Sequence, residues 1–178
     1  MPDKYIVLDR DGVINVDLFD YVLKNETFEF EEGSIEALIK LSKNNYQIIV
    51  ATNQKCINLG LISAEGIEKI NNFWVNKIKE LGGDILHIEV CPHRDEENCN
   101  CRKPKTGLLI AAEKKLNISL KETYFVGDKL SDLECAVSHG CKPILVKTGY
   151  GSRTFSSSYP KETKVFENLK AAVDWIVN

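Results

Sequence analysis

The chain has 178 residues, 43% of them hydrophobic and 28% charged, with a formal net charge of −3. That length suits one compact domain, residues 1–178, and the composition is that of a soluble globular protein. Mild acidity gives no general electrostatic case for nucleic acid or an anionic membrane, and no apolar stretch is long enough to cross one.

The chain meets Asp3 and Lys4 at once, without the apolar region of a signal peptide, so a cytoplasmic protein is expected. Residues 4–8 read as a buried strand, ended by Asp9-Arg-Asp11-Gly12. Residues 15–33 are an irregular excursion in which Phe28 and Phe30 alternate as in a small hairpin. Ile35, Leu38, Ile39 and Leu41 form one stripe, which predicts a helix over 34–43. An apolar run at 46–51 predicts a second strand, ended by Thr52-Asn53-Gln54. Ser63 suits the N-cap of a long amphipathic helix running to about residue 81 and stopped by Gly82 and Gly83. Strands are expected at 85–90, 124–126 and 143–146, and helices at 107–116, 130–138 and 168–177. Residues 91–106 and 152–162 read as loops. Strands spaced by helices imply right-handed βαβ units, an α/β fold and a mainly parallel sheet.

Chemistry-bearing residues fall at the ends of four successive strands: Asp9 and Asp11, Thr52 and Asn53, Cys91, and Asp128 with Asp132. In a parallel sheet those ends share one edge, so distant residues converge on one crevice. Asp9 is the candidate nucleophile, able to carry a phosphoryl group as an acyl phosphate. Asp11 is the candidate acid/base that protonates the leaving oxygen and later deprotonates water. Mg²⁺ would be held by Asp9, Asp128 and the backbone carbonyl of Asp11, with Asp132 binding the metal's water or orienting Lys129. Thr52 and Lys103 are the candidate ligands of the phosphoryl oxygens. An isolated Asp-x-Asp-Gly is often an ordinary turn, but its conjunction with Thr52 and Gly127-Asp128 favours catalysis.

Cys91, His93, Cys99 and Cys101 lie close enough in sequence to wrap a tetrahedral Cys₃His zinc site. Four protein ligands leave no open position, so this zinc is expected to be structural and to pin loop 91–106 with Arg102 and Lys103 facing the crevice. Cys135 and Cys141 read as small buried fillers. Lys55 is either a phosphate contact or a solvated lysine, and Lys129 an ion pair with Asp128 or a substrate contact. Lys147 and Arg153 have a weaker claim to a distal pocket. His87 reads as structural, His139 as a helix-end residue, and Trp74 and Trp175 as core or interface.

Asp9-Arg-Asp11-Gly12, Thr52, Lys103 and Gly127-Asp128-Lys129-Leu-Ser-Asp132 resemble, in order, the four motifs of the haloacid dehalogenase-like phosphatases. Adding Thr-Asn-Gln, Cys-Pro-His and Cys-x-Cys-Arg-Lys-Pro narrows the resemblance. The set is similar to the zinc-containing D-glycero-D-manno-heptose-1,7-bisphosphate 7-phosphatases and to the related histidinol-phosphate phosphatases. The resemblance implies a Rossmann-like three-layer core with a minimal cap, whose zinc-binding loop acts as the specificity element. It implies that Asp9 is the nucleophile, Asp11 the acid/base and Asp128 the Mg²⁺ ligand. Thr52 and Lys103 would bind the transferring phosphoryl group, and Asn53 and Arg102 the substrate, Arg102 at its second phosphate. Asn15, Asp17, Lys55 and Lys129 complete the expected substrate contacts.

The implied partner is a small sugar bisphosphate used in nucleotide-heptose or surface-polysaccharide synthesis, acted on by a monomer. The alternative is histidinol phosphate. A non-catalytic, zinc-stapled binding module would have lost one of Asp9, Asp11, Lys103 or Asp128, and all four are present. The chain departs from the family's Thr-Asn-Gln-Ser-Gly-Ile-x-Arg-Gly pattern at Lys55, at Cys56 in place of a glycine, and at Leu59 in place of an arginine.

Overall fold

Short apolar runs that are hydrophobic on both faces need cover on both sides, and the helical stripes between them provide it. The computed structural model describes residues 4–178, so Asp3 lies outside the described residues. Six strands, β1 (Lys4–Leu8), β2 (Tyr46–Asn53), β3 (His87–Cys91), β4 (Tyr124–Gly127), β5 (Lys142–Val146) and β6 (Lys164–Phe166), form one parallel sheet in the order β3-β2-β1-β4-β5-β6. The helices are α1 (Ser34–Lys43), α2 (Ala64–Glu80), α3 (Gly107–Leu116), α4 (Leu130–His139), α5 (Gly151–Phe155) and α6 (Leu169–Ile176).

Alternate residues of the central strands feed two cores. Ile6, Leu8, Ile48 and Val50 pack with Leu38, Trp74 and Val173 of α1, α2 and α6. Val7, Ile49, Ala51 and Phe125 pack with Leu109, Ala112 and Ala136 of α3 and α4. The fold is therefore a three-layer, Rossmann-like α/β domain. Ser63 caps α2 as expected, its hydroxyl accepting from the Gly66 N–H at 3.1 Å. Among the described residues, no helix is long and apolar enough to cross a membrane.

Two local expectations change. Residues 15–33 form no hairpin: Asn15 makes a single antiparallel bridge to Phe30, and a 3-10 turn occupies Asn25–Thr27. Phe28 is pulled into the core, stacked on Trp74 at 5.9 Å, which fixes the segment by packing rather than by strand pairing. The loop expected at 152–162 begins as α5 and leads into β6, a strand too short for its period to be read. Trp74 is core, whereas Trp175 is 40% exposed and touches Tyr124 and Phe166. His87 pairs with Glu89 at 2.7 Å, and His139, the last residue of α4, faces Glu113 at 3.1 Å.

Candidate active site

The sheet changes winding direction at β1 and β4, and a crevice opens beyond the carboxyl ends of strands at such a point. Asp9 continues β1 into it, its N–H donating to the Val126 carbonyl at 2.9 Å. One oxygen of the buried Asp9 lies 2.8 Å from Lys103 Nζ, which also meets Asp132 Oδ1 at 2.6 Å and donates to the Ala51 carbonyl at 2.7 Å. Burial works against the Lys103 charge, but the carboxylates of Asp132 and Asp9 outweigh it and hold its pKa above the ordinary lysine value. Burial, joined by the Asp132 charge, pushes Asp9 up to about 6, with Lys103 and Lys129 pulling the other way.

Asp128 is fully buried. Its Oδ2 accepts from the Tyr150 N–H at 2.8 Å, while Oδ1 has no hydrogen-bond partner among the described residues. A Cβ on Gly12 (φ +83°) or Gly149 (φ +54°) would lie 2.3 or 2.4 Å from Asp128 Oδ2, so only glycine lets both backbones close on this carboxylate. Asp9, Asp128 and Asp132 each bring an oxygen within 4.8 Å of the others. Burial, with Asp132 and Asp9 adding to it against Lys129, holds the Asp128 carboxyl well above the usual range. A dry cluster of three carboxylates with an orphan oxygen fits a divalent cation, and Mg²⁺ takes such oxygen ligands.

Asp11 lies in a different setting. Its Oδ1 accepts from Arg10 Nη2 and Asn15 Nδ2, each at 3.0 Å, and its Oδ2 from Gln54 Nε2 at 2.7 Å. Against burial, Arg10, Asn15 and Gln54 hold it below the usual carboxylate range. The Asp11 side chain thus stands apart from the three-carboxylate cluster, consistent with a metal role through its carbonyl alone. Asp132 is engaged by Lys103, and its second oxygen accepts the Lys129 backbone N–H at 3.0 Å; it does not orient the Lys129 side chain. That side chain pairs with Asp17 Oδ2 at 2.9 Å, not with Asp128, and lies 4.7 Å from the Tyr150 ring centre.

Two expected substrate contacts have their side-chain amides engaged within the protein. Asn15 is fully buried, and its amide serves Asp11 and the Val16 carbonyl. Asn53 lines the cleft, but its amide clasps the Lys103 backbone, donating to the carbonyl and accepting from the N–H, both at 3.2 Å. The other candidates surround a cleft of about 570 Å³. Asp17, Phe19 and Tyr21 line it from the excursion after β1, and Lys55, Asp95 and Arg102 from the facing loops. Asp95 is shared: its two oxygens meet Arg102 Nε at 2.7 Å and Lys55 Nζ at 3.2 Å. Lys147 pairs with Glu167, and Arg153 lies over Phe19 and Tyr150; neither lines the cleft.

Below that rim, Cys91, His93, Cys99 and Cys101 form one cluster. Sγ–Sγ separations are 3.0, 3.5 and 3.7 Å, and His93 Nδ1 lies 3.6 Å from Cys91 and 3.2 Å from Cys101. A tetrahedron of zinc–sulfur bonds has edges of about 3.8 Å, so the donor set suits one zinc ion once the sulfurs spread slightly. All six cysteines are free thiols.

The HAD-hydrolase-like family matches residues 100–172. D-glycero-beta-D-manno-heptose-1,7-bisphosphate 7-phosphatase of Pseudomonas putida KT2440 is 41% identical over 94% of this chain and 96% of its own. The Pseudomonas aeruginosa PAO1 protein of the same name is 38% identical over 96% of both. The chain belongs to this family of HAD-like phosphatases. The crystal structure of D,D-heptose 1,7-bisphosphate phosphatase from B. bronchiseptica, complexed with magnesium and phosphate, superposes with a TM-score of 0.94 at 32% identity, covering 98% of each chain.

Against the expected family pattern, Lys55 meets Asp95 on the rim and Leu59 is exposed, whereas Cys56 is fully buried beside Gln54. Sequence reasoning passed over Arg10, Gln54 and Asp95. Gln54 ends the Thr-Asn-Gln motif, and Arg10 sits between the two aspartates, so both had a positional signal. Asp95 had none, because its neighbours Glu96 and Glu97 make it look like part of a solvated acidic run.

Proposed function

We propose that the protein is an Mg²⁺-dependent phosphatase that removes the 7-phosphate of D-glycero-D-manno-heptose 1,7-bisphosphate through an aspartyl phosphate on Asp9. The observation that carries this reading is the opposed setting of two carboxylates on one strand end. Asp9 is salt-bridged to Lys103 beside Asp128, while Asp11 is held apart by its own donors.

Asp9 attacks phosphorus, and the bond from phosphorus to the sugar oxygen breaks. Asp11 gives that oxygen its proton, then takes one from the water that releases phosphate. Arg10, Asn15 and Gln54 keep Asp11 ionised in the free protein; an entering phosphate dianion raises its proton affinity. Lys103 and the Thr52 hydroxyl face the phosphoryl oxygens. Asp9, Asp128 and the Asp11 carbonyl would hold Mg²⁺, which would supply the positive charge that lets one anion attack another. Cys91, His93, Cys99 and Cys101 would hold a structural zinc, which would fix the loop carrying Arg102 and Lys103.

The second phosphate would meet Arg102 and Lys55, with Asp17 and Lys129 on the opposite wall. A bisphosphate needs such a second cationic subsite, which favours it over histidinol phosphate, as do the names of the relatives. The proposal includes a single-domain, cytoplasmic monomer with loop 91–106 in place of a cap. Phosphate release with Mg²⁺ from both heptose bisphosphate anomers, histidinol phosphate and fructose 1,6-bisphosphate tests it. Preference for one heptose anomer, the β form first, is expected. Preference for histidinol phosphate overturns the substrate, and no release from any of them overturns the enzyme.

A further inference from the structure

Gln54 is 4% exposed, and its donors and acceptor all have partners. Its backbone N–H donates to the Cys91 carbonyl at 2.7 Å, holding it at the junction of β2 and β3. The two side-chain N–H groups go to Asp11 Oδ2 at 2.7 Å and Thr52 Oγ1 at 2.8 Å. The carbonyl Oε1 faces the Cys56 thiol at 3.6 Å. Flipping this amide would aim its carbonyl at a carboxylate and leave the thiol facing an NH₂ group, so the surroundings fix one orientation.

That orientation has two chemical consequences. The Thr52 oxygen already accepts one hydrogen bond, so its own hydrogen is free to donate to a phosphoryl oxygen. Among the described residues, Asp11 Oδ1 is held by two donors, Arg10 and Asn15, whereas Oδ2 has only Gln54. Oδ2 is the oxygen with room to carry a proton.

We propose that Gln54 is a positioning residue for phosphoryl transfer: one amide, locked by the buried Cys56 thiol, aims Asp11 Oδ2 at the leaving oxygen and Thr52 Oγ1 at the phosphoryl group. The inference rests on the phosphatase reading above. In the step concerned, the phosphorus–oxygen bond breaks, the electron pair stays on the sugar oxygen, and the proton on Oδ2 moves there, leaving Asp11 ionised. A sugar alkoxide needs that proton; p-nitrophenolate leaves without it. Losing the Gln54 contact should therefore harm alkyl phosphates far more than aryl phosphates.

The test compares kcat/KM, which reports steps through leaving-group departure, for heptose bisphosphate and p-nitrophenyl phosphate in the Mg²⁺- and zinc-loaded protein. Gln54→Met keeps length and removes both donors. It is expected to lower the sugar-phosphate value by roughly 100-fold, the scale of general acid catalysis, and the aryl value by less than about tenfold, the remnant reflecting Thr52. Cys56→Ala unlocks the amide without removing it, and should shift the same ratio by about threefold in the same direction. It carries the test if Gln54→Met does not fold. Equal losses on both esters, or no change in the ratio for Cys56→Ala, overturn the inference and leave the phosphatase reading intact. A wild-type protein that hydrolyses neither ester overturns both.

Discussion

The molecule has two side-chain clusters whose donors could hold a cation, and they are assembled in opposite ways. Asp9, Asp128 and Asp132 come from two strand ends far apart in sequence and meet only because β1 and β4 are neighbours. Cys91, His93, Cys99 and Cys101 come from one short loop at the sheet's edge strand. The first cluster is buried and leaves a carboxylate oxygen without a hydrogen-bond partner among the described residues; without a cation such a cluster opposes folding. The second needs little beyond its own loop and, with zinc bound, contributes to folding. The carboxylate cluster thus depends on the whole sheet for its assembly, while the Cys₃His cluster depends mainly on its own loop.

The largest effect should come from Asp9→Asn. If the buried cluster is catalytic, phosphate release falls by about 10⁴-fold or more, the scale seen when a nucleophile is removed. Retained turnover would make the carboxylates structural and remove the contrast between the clusters.

Asp128→Asn should separate activity from stability. Activity falls by about 10²–10³-fold, as expected when a transition-state charge partner is lost. The metal-free variant should melt about 2–4 °C above the wild type if roughly 1 kcal/mol of buried-charge cost is relieved. Mg²⁺ should raise the melting temperature of the wild type and not of the variant. Asp9 adds a pH signature. Its carboxyl rises from 3.8 to about 6, so the folded state binds a proton more tightly than the unfolded one. The metal-free wild type therefore loses stability as pH climbs through that window. A wild type that is more stable without Mg²⁺ would reverse the assignment of this cluster.

Cys101→Ser tests the other side of the comparison. Metal analysis should find one zinc per wild-type chain and less in the variant. The melting temperature should fall by about 5 °C or more, with KM rising as Arg102 and Lys103 lose their loop. An unchanged melting temperature and full zinc content would exclude Cys101 as a ligand.

The two clusters also differ in how far they could be read from sequence. The clustering of Cys91, His93, Cys99 and Cys101 could be read from their spacing, and the convergence of Asp9, Asp11, Thr52 and Asp128 from their places after apolar runs. What sequence did not disclose is where a side chain turns after its strand ends. Lys129 follows Asp128 in the chain, yet the turn into α4 aims it at Asp17. Lys103 arrives from the zinc loop, and its partner Asp132 comes from the opposite half of the sheet. Asn15 looks like a cleft residue by position, but the excursion folds it under Asp11. The short β6 and α5 lacked enough turns or alternation for any period to emerge.

The smallest effects lie on the rim, where Arg102 and Lys55 share the Asp95 carboxylate. Arg102 is held at Nε by Asp95 and at Nη1 by the His93 carbonyl, which leaves Nη2 for a ligand. Among the described residues Lys55 meets only Asp95, and its side chain is the more exposed of the two. Exposed ion pairs contribute about 1 kcal/mol or less, so a phosphate dianion can take over either cation from Asp95 at little cost. The planar, already oriented guanidinium should gain more from that exchange than the flexible ammonium. Arg102→Ala should therefore raise KM for the bisphosphate by about 10- to 30-fold, and Lys55→Ala by about threefold, both with kcat nearly unchanged. Neither substitution should alter KM for a sugar monophosphate by more than about twofold, because the transferring group is met by Lys103 and Thr52. Equal rises for mono- and bisphosphate would place Arg102 at the transferring group instead, and would leave the second phosphate to Lys129 on the facing wall.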